Sequence, residues 1–429
     1  MLHVSDGAAD REITDAEAND AVDRLIANLS ARGPLKRVLL LPPDFTRFHS
    51  GAGLLTVDLY RKLTAIACET IVMPALGTHF PMEPGEREEM FPGIPSTAFR
   101  DHHFRNDVVT LGELPASYVA SLSEGKVELP VQVQVNRRLI EEKWDAIISI
   151  GQLVPHEVIG IANHVKNVCI GVGGFDLINK SHWLGAVYGM ERIMGRAVTP
   201  VRTLLGEAAR RFLGHLPIHY LLTVRQRASD GRLVTRGLFA GDDDECYFVG
   251  AELCRTVNLD VVSKGPMKCV VYLDPQEFKS TWLGNKAIYR TRMMMADGGE
   301  LLVLAPGVKQ FGEDNEIDRL IRKYGYKGTP ATLQSVKENP ELAGNLSAAA
   351  HLIHGSSEGR FCISYASGLL SRAEIEGVGF GYRDLAEALK QYNPSQLRDG
   401  WNTVNGEELF FVSNPALGLW GTAERFGKL

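Results

Sequence analysis

The sequence lacks any pair of cysteines at the close spacing used by zinc ribbons and redox motifs. Its six cysteines are scattered along 429 residues, which predicts reduced thiols and no disulfide or zinc framework. It also lacks an apolar run of the roughly 18–20 residues that a membrane span requires. Residues 1–14 are polar and acidic, unlike a signal peptide. We therefore expect a cytoplasmic protein with no membrane partner.

An excess of positive charge is missing as well. The formal net charge is −6, which gives no electrostatic basis for binding nucleic acid or an anionic membrane. The composition is that of an ordinary globular protein, with 45% hydrophobic and 23% charged residues. A chain of this length can bury a large core, and we expect an enzyme of two domains.

Strand-like and helix-like segments alternate along the chain. Residues 36–42 predict a buried strand, residues 54–68 a helix, and residues 70–76 a second strand. The same order recurs in the C-terminal part. Such alternation favours parallel sheets with crossover helices. The predicted fold is therefore α/β, with two α/β domains (residues 1–260 and 261–429), mainly parallel sheets and an active-site cleft between the domains.

Three further segments have local signals. Residues 218–239 predict a β-hairpin that turns at Ser229-Asp-Gly. The apolar spacing in residues 182–194 and in residues 280–297 predicts one continuous helix in each.

The segment from Pro155 to Trp183 concentrates side chains that can catalyse reactions or bind metals. Neutral imidazoles bind borderline metals and transfer protons, and a desolvated lysine is a nucleophile toward carbonyl groups. The segment follows a predicted buried strand ending in Ile148-Ser-Ile-Gly, and catalytic residues of α/β proteins tend to lie at such strand ends. The candidates are His156, His164, Lys166, Lys180 and His182.

Two other predicted strand ends carry polar motifs. In Asp44-Phe-Thr-Arg47, a guanidinium and a hydroxyl could hold a carboxylate or phosphate, and the alternative is a simple turn with Arg47 exposed. In Gly77-Thr-His79, the imidazole could be a general base or a histidine satisfied within a loop. Three strand-end loops that each carry histidine or arginine favour a shared cleft.

Other interpretations stay open at this point. Zinc is the first metal to consider, but the carboxylates and closely spaced ligands typical of zinc sites are missing. Lys166 could extend along a helix edge to solvent. Lys286, in the first turns of a predicted helix, could close the cleft or be an ordinary surface lysine.

Three patterns are set aside. Gly171-Val-Gly-Gly lacks the length and the partner acid of a dinucleotide-binding motif. His102-His103 has no further ligands nearby in the sequence. Asp242-Asp-Asp-Glu is typical of a solvated helix start.

The order and spacing of the remaining motifs resemble the nickel-dependent lactate racemase family, over residues 35 to 310. Asp44-x-Thr-Arg47 is similar to the family's aspartate-x-threonine-arginine loop. Gly77-Thr-His79 is similar to the motif that supplies one catalytic histidine, and His156 corresponds to the second.

The resemblance implies a nickel-pincer nucleotide, pyridinium-3,5-bisthiocarboxylic acid mononucleotide nickel, covalently attached at Lys166. Asp44, Thr46 and Arg47 would contact this cofactor, and His182 would ligate nickel. Arg47 would also bind substrate, together with residues of the second domain, Lys286 and Trp282.

The implied activity is that of an isomerase, a racemase or epimerase of a 2-hydroxycarboxylic acid. Hydride would leave Cα and return through a 2-keto acid, while His79 and His156 alternate as bases. The implied partners are the small hydroxy acid and the host enzymes that synthesise the cofactor.

The sequence departs from the family at the pocket lining. Ala162-Asn-His-Val precedes the lysine in place of a serine-glycine-glycine-arginine run, and Phe80 replaces an arginine. Trp282 and Leu283 stand in place of tyrosine and glutamine, and Tyr247 in place of histidine. These changes predict a 2-hydroxy acid other than lactate as substrate.

Two alternatives are retained. The first is an enzyme without the pincer cofactor, which would use Lys166 for an imine or the histidines for zinc-dependent hydrolysis. The second is a non-catalytic protein that binds the nucleotide cofactor without turnover.

Overall fold

The computed structural model describes residues 1–228, 230–416 and 418–426, which form two compact units. Unit 1 contains Met1–Ser181 and Gly195–Asn258, and unit 2 contains His182–Met194 and Leu259–Leu429. Residues 182–194 thus group with unit 2, although the predicted domain limits placed them in the first domain. Among the described residues, no helix combines the length and apolar character that crossing a bilayer requires.

Unit 1 is built on a mixed sheet of six strands, with two smaller strand pairs, β4-β5 and β7-β8, beside it. The described strands of the unit are β1 (Leu2–Gly7), β2 (Arg37–Leu41), β3 (Glu69–Val72), β4 (Val108–Leu114), β5 (Val131–Asn136), β6 (Ala146–Leu153), β7 (Pro155–His156), β8 (Gly160–Ile161), β9 (Ile218–Arg227) and β10 (Leu233–Gly241). The six-stranded sheet has the order β1-β10-β9-β6-β2-β3. Strands β9, β6, β2 and β3 are parallel to one another, whereas β10 and β1 are antiparallel additions. The predicted hairpin is confirmed as β9 and β10; Ser229 of its turn lies outside the described residues.

The helices that start in unit 1 are α1 (Asp15–Ser30), α2 (Ala52–Ala65), α3 (Pro84–Met90), α4 (Ala116–Leu122), α5 (Arg138–Glu141), α6 (Phe175–Tyr188), α7 (Pro200–Phe212) and α8 (Glu245–Asn258). Short 3-10 turns occupy Phe45–Ser50 and Ser96–Ala98, and a π-helical turn occupies Asn167–Gly171. Helix α6 continues past Ser181, so the limit between the units falls inside it.

Helix α1 shows how local sequence signals and packing agree. Thr14 and Glu17 form a capping box, in which each side chain binds the backbone N–H of the other residue. The buried face of the helix carries Val22 and Leu25, which pack in one apolar cluster with strand residues such as Leu40. This layer covers one face of the parallel strands.

Unit 2 is also built on a mainly parallel sheet. Its strands are β11 (Leu259–Val262), β12 (Lys268–Tyr272), β13 (Glu300–Leu304), β14 (Cys362–Ala366), β15 (Gly381–Tyr382), β16 (Gly400–Val404), β17 (Glu407–Val412) and β18 (Leu419–Thr422). The sheet order is β15-β14-β13-β12-β17-β16, with only β16 antiparallel to its neighbour among the described strands. Strands β11 and β18 form a separate parallel pair.

The helices of unit 2 are α9 (Thr281–Gly284), α10 (Lys286–Thr291), α11 (Asn315–Tyr324), α12 (Thr329–Glu338), α13 (Pro340–Ala343), α14 (Leu346–His354), α15 (Arg372–Gly377), α16 (Leu385–Gln391) and α17 (Ala423–Phe426). The α/β class with mainly parallel sheets is confirmed in both units.

Two predicted helices differ from the structure. The single helix predicted over residues 280–297 is broken at Asn285, whose side chain accepts a hydrogen bond of 2.6 Å from the Tyr365 hydroxyl. The helix predicted from residue 182 starts seven residues earlier, at Phe175, and ends at Tyr188, because Gly189 adopts a φ of +115°. Tertiary contacts and backbone geometry decided both limits.

The capping box predicts a measurable contribution to stability. Replacing Thr14 with alanine removes both its side-chain bonds to Glu17 and is expected to cost about 1 kcal/mol in the free energy of unfolding. Thr14→Ser keeps the hydroxyl and is the matched control. Urea denaturation followed by circular dichroism measures the difference, and an alanine variant as stable as the serine variant would contradict this account.

Candidate active site

The carboxyl ends of three neighbouring parallel strands lie at one edge of the unit 1 sheet. The order β6-β2-β3 places the loops after Leu153, Leu41 and Val72 side by side. Backbone bonds extend this pairing beyond the strands, since the N–H of Ala75 donates to the carbonyl of Pro42 at 2.8 Å. Ligands of open α/β sheets bind at this edge.

The first two loops are joined by a buried carboxylate. Asp44 is 4% exposed; its Oδ2 is hydrogen-bonded to Nδ1 of His79, and its Oδ1 accepts from the backbone N–H of Thr46 at 3.0 Å. The Thr46 hydroxyl also donates to Oδ1 of Asp44 and accepts from Nη1 of Arg47 at 3.0 Å. The predicted loop residues Asp44, Thr46, Arg47 and His79 therefore form one hydrogen-bonded group.

The charge state of Asp44 follows from these partners. Burial alone would raise the pKa of this carboxyl, but the charge and hydrogen bond of His79, with Arg47 and Thr46, lower the pKa to about 2. Asp44 is therefore ionised throughout the neutral range. It accepts the proton of Nδ1 and leaves Nε2 of His79 with a lone pair.

His156 has the opposite ring arrangement. It is 8% exposed, and its Nδ1 accepts a hydrogen bond of 3.1 Å from the backbone N–H of Val158. A ring nitrogen that accepts a bond carries no proton, so the neutral imidazole carries its proton on Nε2. In their neutral forms, the ring of His79 thus presents an acceptor at Nε2, whereas the ring of His156 presents a donor there.

Lys166 is held beside the same strand ends by the residue that follows it. The side-chain amide of Asn167 donates to the carbonyl of Leu41 at 2.9 Å and to the hydroxyl of Ser149 at 3.0 Å. These bonds anchor the π-helical turn to the ends of β2 and β6. The turn also meets the His79 loop, because the N–H of Gly77 donates to the Gly171 carbonyl at 2.8 Å.

The ammonium of Lys166 lies in a desolvated environment that contains charges of both signs. Burial, followed by the charge of Arg47, lowers the pKa of Lys166 to about 8, although the carboxylates of Glu157 and Asp44 act in the opposite direction. A substantial fraction of the side chain is therefore the neutral, nucleophilic amine near neutral pH. Lys166 is only partly exposed, and its lowered pKa is not that of a lysine whose ammonium extends fully into solvent.

The loop before Lys166 adopts an unusual backbone conformation. Asn163 and His164 have φ values of +68° and +59°, in the left-handed region that favours glycine. The guanidinium of Arg202, on α7, donates to the carbonyls of Ile161 and Asn163 and stabilises this conformation. Gly151 on β6 faces the same loop, and a Cβ there would lie 1.8 Å from the Asn163 side chain.

His164 serves packing in this loop. Its side chain is 1% exposed and its ring centroid lies 3.7 Å from that of Tyr220. Burial, followed by the charge of Arg202, lowers the pKa of His164 well below its usual value. It is therefore a neutral, buried ring held apart from the Asp44–His79 group.

Sequence reasoning missed three polar residues around the site. Arg202 and Asn167 hold the loop and the turn that flank Lys166. Gln152, near the end of β6, is 5% exposed and neither its Nε2 nor its Oε1 has a hydrogen-bond partner. Two of them carry a signal in the sequence. Gln152 is a polar residue inside the apolar strand Ala146–Leu153, and Arg202 lies on the buried face of a helix.

The other predicted site residues lie in unit 2. His182 lies on α6. The Trp282 ring centroid lies 4.5 Å from that of His351. Lys286 is 8% exposed and its Nζ lies 5.4 Å from the centroid of the Phe278 ring, so it is not an ordinary surface lysine. The predicted roles of these three residues toward the histidines of unit 1 stay predictions.

The pattern His102-His103 is structural, as its lack of nearby ligands indicated. His102 is buried, with Nε2 hydrogen-bonded to the Gly173 carbonyl at 2.9 Å and Nδ1 to the Asn136 amide at 3.0 Å. Both ring nitrogens are thereby engaged within the protein.

Two solved structures share the fold of this chain. One is a Thermotoga maritima protein, with a TM-score of 0.84 and 24% sequence identity over 96% of this chain and 99% of that one. The other is the lactate racemase apoprotein from Thermoanaerobacterium thermosaccharolyticum, with a TM-score of 0.68 and 16% identity over 95% and 93% of the two chains. At these identities the likeness concerns the fold.

The sequence itself matches a family model over part of its length. Residues 9–193 match the lactate racemase N-terminal domain. No curated protein matches the chain significantly in sequence. The matched range contains Asp44, Thr46, Arg47, His79, His156, Lys166 and His182. Over residues 9–193, this chain is therefore similar to the N-terminal domain of lactate racemases.

Proposed function

We propose that this protein is a racemase or epimerase of a 2-hydroxycarboxylic acid, with a nickel-pincer nucleotide attached at Lys166. The observation that carries the proposal is the grouping of His79, His156 and a low-pKa lysine around one sheet edge. The similarity of residues 9–193 to the lactate racemase N-terminal domain supports racemase chemistry over the alternatives of imine formation and zinc-dependent hydrolysis.

The residues of unit 1 fit the proposed cofactor. Lys166 offers a neutral amine for a covalent bond to a thiocarboxylate, and Arg47 lies near enough to lower the pKa of that lysine. Close approach of the backbone is also present, because a Cβ at Gly171 would lie 2.6 Å from that of Ala75. The chemistry supplied by the bound group is reversible acceptance of the substrate hydride.

The ring arrangements suggest distinct starting roles for the two histidines. His79 is ready to take the hydroxyl proton of the substrate at Nε2, because Asp44 holds its Nδ1 proton. His156 is ready to donate from Nε2 to the substrate oxygen. To act as the second base it must transfer its proton to Nδ1 and release the bond from Val158. Two bases, one for each enantiomer, meet the symmetry that a racemase requires.

The substrate carboxylate requires a cationic partner. Arg47 is the candidate within unit 1, since its guanidinium is held by Thr46 at the strand edge. Lys286 and Trp282 are proposed to contact the substrate from unit 2, and His182 to ligate nickel. The cytoplasmic location and the partnership with cofactor-synthesis enzymes stay predictions.

The direct test measures cofactor loading. Protein produced together with the cofactor-synthesis enzymes is expected to contain nickel and to gain mass on the Lys166 peptide, as measured by metal analysis and peptide mass spectrometry. Lys166→Arg, which keeps the charge but not the nucleophilic amine, is expected to lose both. Unmodified Lys166 without nickel, also after addition of free cofactor, would contradict the proposal.

The loaded protein then allows a test of substrate class. We expect it to interconvert the enantiomers of a 2-hydroxy acid. Chiral chromatography of the products from a panel of such acids measures this activity. The altered pocket lining predicts that lactate is not the best substrate. Fastest turnover of lactate would contradict that part, and loading without any turnover would favour the non-catalytic alternative.

The lowered pKa of Lys166 predicts its chemical reactivity without any cofactor. Acylation requires the neutral amine, so labelling of Lys166 by acetic anhydride should rise with pH and reach half its maximum near pH 8. In the urea-unfolded chain, labelling of the same lysine should reach half its maximum near pH 10.4, since the ordinary lysine pKa is about 10.4. Peptide mass spectrometry after short pulses measures both, and equal midpoints would contradict the assignment.

The Asp44–His79 hydrogen bond predicts a catalytic effect that is separate from binding. Asp44→Asn keeps the size of the side chain but loses the charge that holds Nδ1–H of His79. We expect kcat, expressed per bound nickel, to fall by about 100-fold or more. Asp58→Asn, on the partly buried surface of α2, is the matched control. An Asp44→Asn enzyme with unchanged kcat would show that the carboxylate is structural.

A further inference from the structure

A second group of metal-binding side chains lies at the opposite edge of the unit 1 sheet. His3 is on β1, His219 is the second residue of β9, and Asp242 follows β10. One nitrogen or oxygen atom from each of these residues lies within 4.8 Å of the others. Strand β9 is parallel to β6 and starts where β6 starts, so this group is remote from the loops that carry His79 and His156.

We propose that His3, His219 and Asp242 bind a divalent first-row transition ion of the zinc type. Two imidazoles and one carboxylate form the donor set of three-ligand zinc sites, which keep a further position for water. The separation between Nε2 of His3 and Oδ2 of Asp242 is 3.8 Å, close to what two ligands of one tetrahedral ion require. This inference is independent of the proposed racemase function.

The two imidazoles are shielded from solvent. The side chain of His3 is 1% exposed, and His219 is 3% exposed with no hydrogen-bond partner at Nδ1. A buried ring nitrogen without a partner is a group that a bound ion would satisfy.

Asp242 supplies the negative charge. The Asp242 side chain is 22% exposed, and its two carboxylate oxygens have different partners. The Met1 nitrogen binds Oδ1, which leaves Oδ2 facing His3 and Arg32. Residues 243–245 of the acidic run are exposed at the start of α8, as the sequence indicated, whereas Asp242 faces the imidazoles of His3 and His219.

Arg32 occupies the place that a cation would take. Its Nη1 donates to Oδ2 of Asp242 at 2.6 Å and its Nη2 lies 3.3 Å from Nε2 of His3. The Arg32 side chain is 48% exposed and follows the end of α1, so it can turn out into solvent. Its guanidinium balances the carboxylate when no ion is bound, and it competes with the ion for the same two ligands.

A cavity of about 420 Å³ gives solvent and ions access to this group. Its wall includes Arg32, His219 and Asp242, and also Asp145 and Pro217 from the starts of β6 and β9. The cavity is large enough to hold the water molecules that would complete the coordination of the ion.

Zinc titration of the full-length protein tests the proposal. Chelator-treated protein, made without the cofactor-synthesis enzymes, is titrated with Zn²⁺ by isothermal calorimetry. We expect the native protein to have one zinc site. Its affinity for Zn²⁺ should fall at least tenfold in His219→Ala and in the nearly isosteric Asp242→Asn, and should be unchanged in His215→Ala. His215 is an exposed histidine four residues from His219 and is the matched control. A native protein without a zinc site that depends on His219 and Asp242 overturns the proposal.

A fourth variant separates a metal site from an ordinary ion-pair cluster. The variant Arg32→Ala lacks the exposed guanidinium that competes with the ion for Asp242 and His3. It should therefore bind zinc about fivefold more tightly, in line with the roughly 1 kcal/mol that exposed ion pairs contribute. Zinc should correspondingly raise the thermal midpoint of the native and Arg32→Ala proteins but not of Asp242→Asn. Weaker zinc binding in Arg32→Ala would show that Arg32 supports the cluster structurally, and would overturn the proposal.

Discussion

The hydrogen bond between Asp44 and His79 joins the loops that follow β2 and β3, and the candidate active site depends on it. The carboxylate is buried, which costs free energy unless partners compensate. The imidazole, the Thr46 hydroxyl and backbone N–H, and the nearby Arg47 provide that compensation. The same group of bonds orients the His79 ring, the candidate base, and holds Arg47, the candidate anion-binding residue, at the sheet edge.

A second constraint is the burial of Lys166 among charged groups. Burial, followed by the charges of Arg47 and Arg202, lowers its pKa against the effect of the carboxylates of Glu157 and Asp44. Arg202 in addition holds the strained loop at Asn163 and His164 through backbone carbonyls. Left-handed conformations at such residues persist only where surrounding contacts impose them. Arg202 therefore both stabilises the conformation of the loop before Lys166 and lowers the pKa of that lysine. It favours a neutral amine at Lys166 and anionic ligands beside it.

Much of the fold could be predicted from local patterns. The strands and helices of the parallel layers have apolar spacing that matches their periods, and β2, α2 and the β9–β10 hairpin lie where that spacing indicates. Residues that act through long-range contacts could not be found in this way. Arg202 and Asn167 stand among apolar residues in the sequence, and their roles depend on carbonyl groups contributed by other segments. Tyr365 likewise bonds Asn285, at the break between α9 and α10, from a distant part of the chain.

The sequence alone determined which side chains follow the strand ends, because strand periodicity and motif order are local properties. Asp44, His79, His156 and Lys166 were identified on that basis. Only the tertiary structure decided that the rings of His79 and His156 differ in their hydrogen bonds, since that depends on Asp44 in one case and on a backbone N–H in the other. It also decided that His3, His219 and Asp242 meet, because strand pairing joins residues from distant parts of the chain.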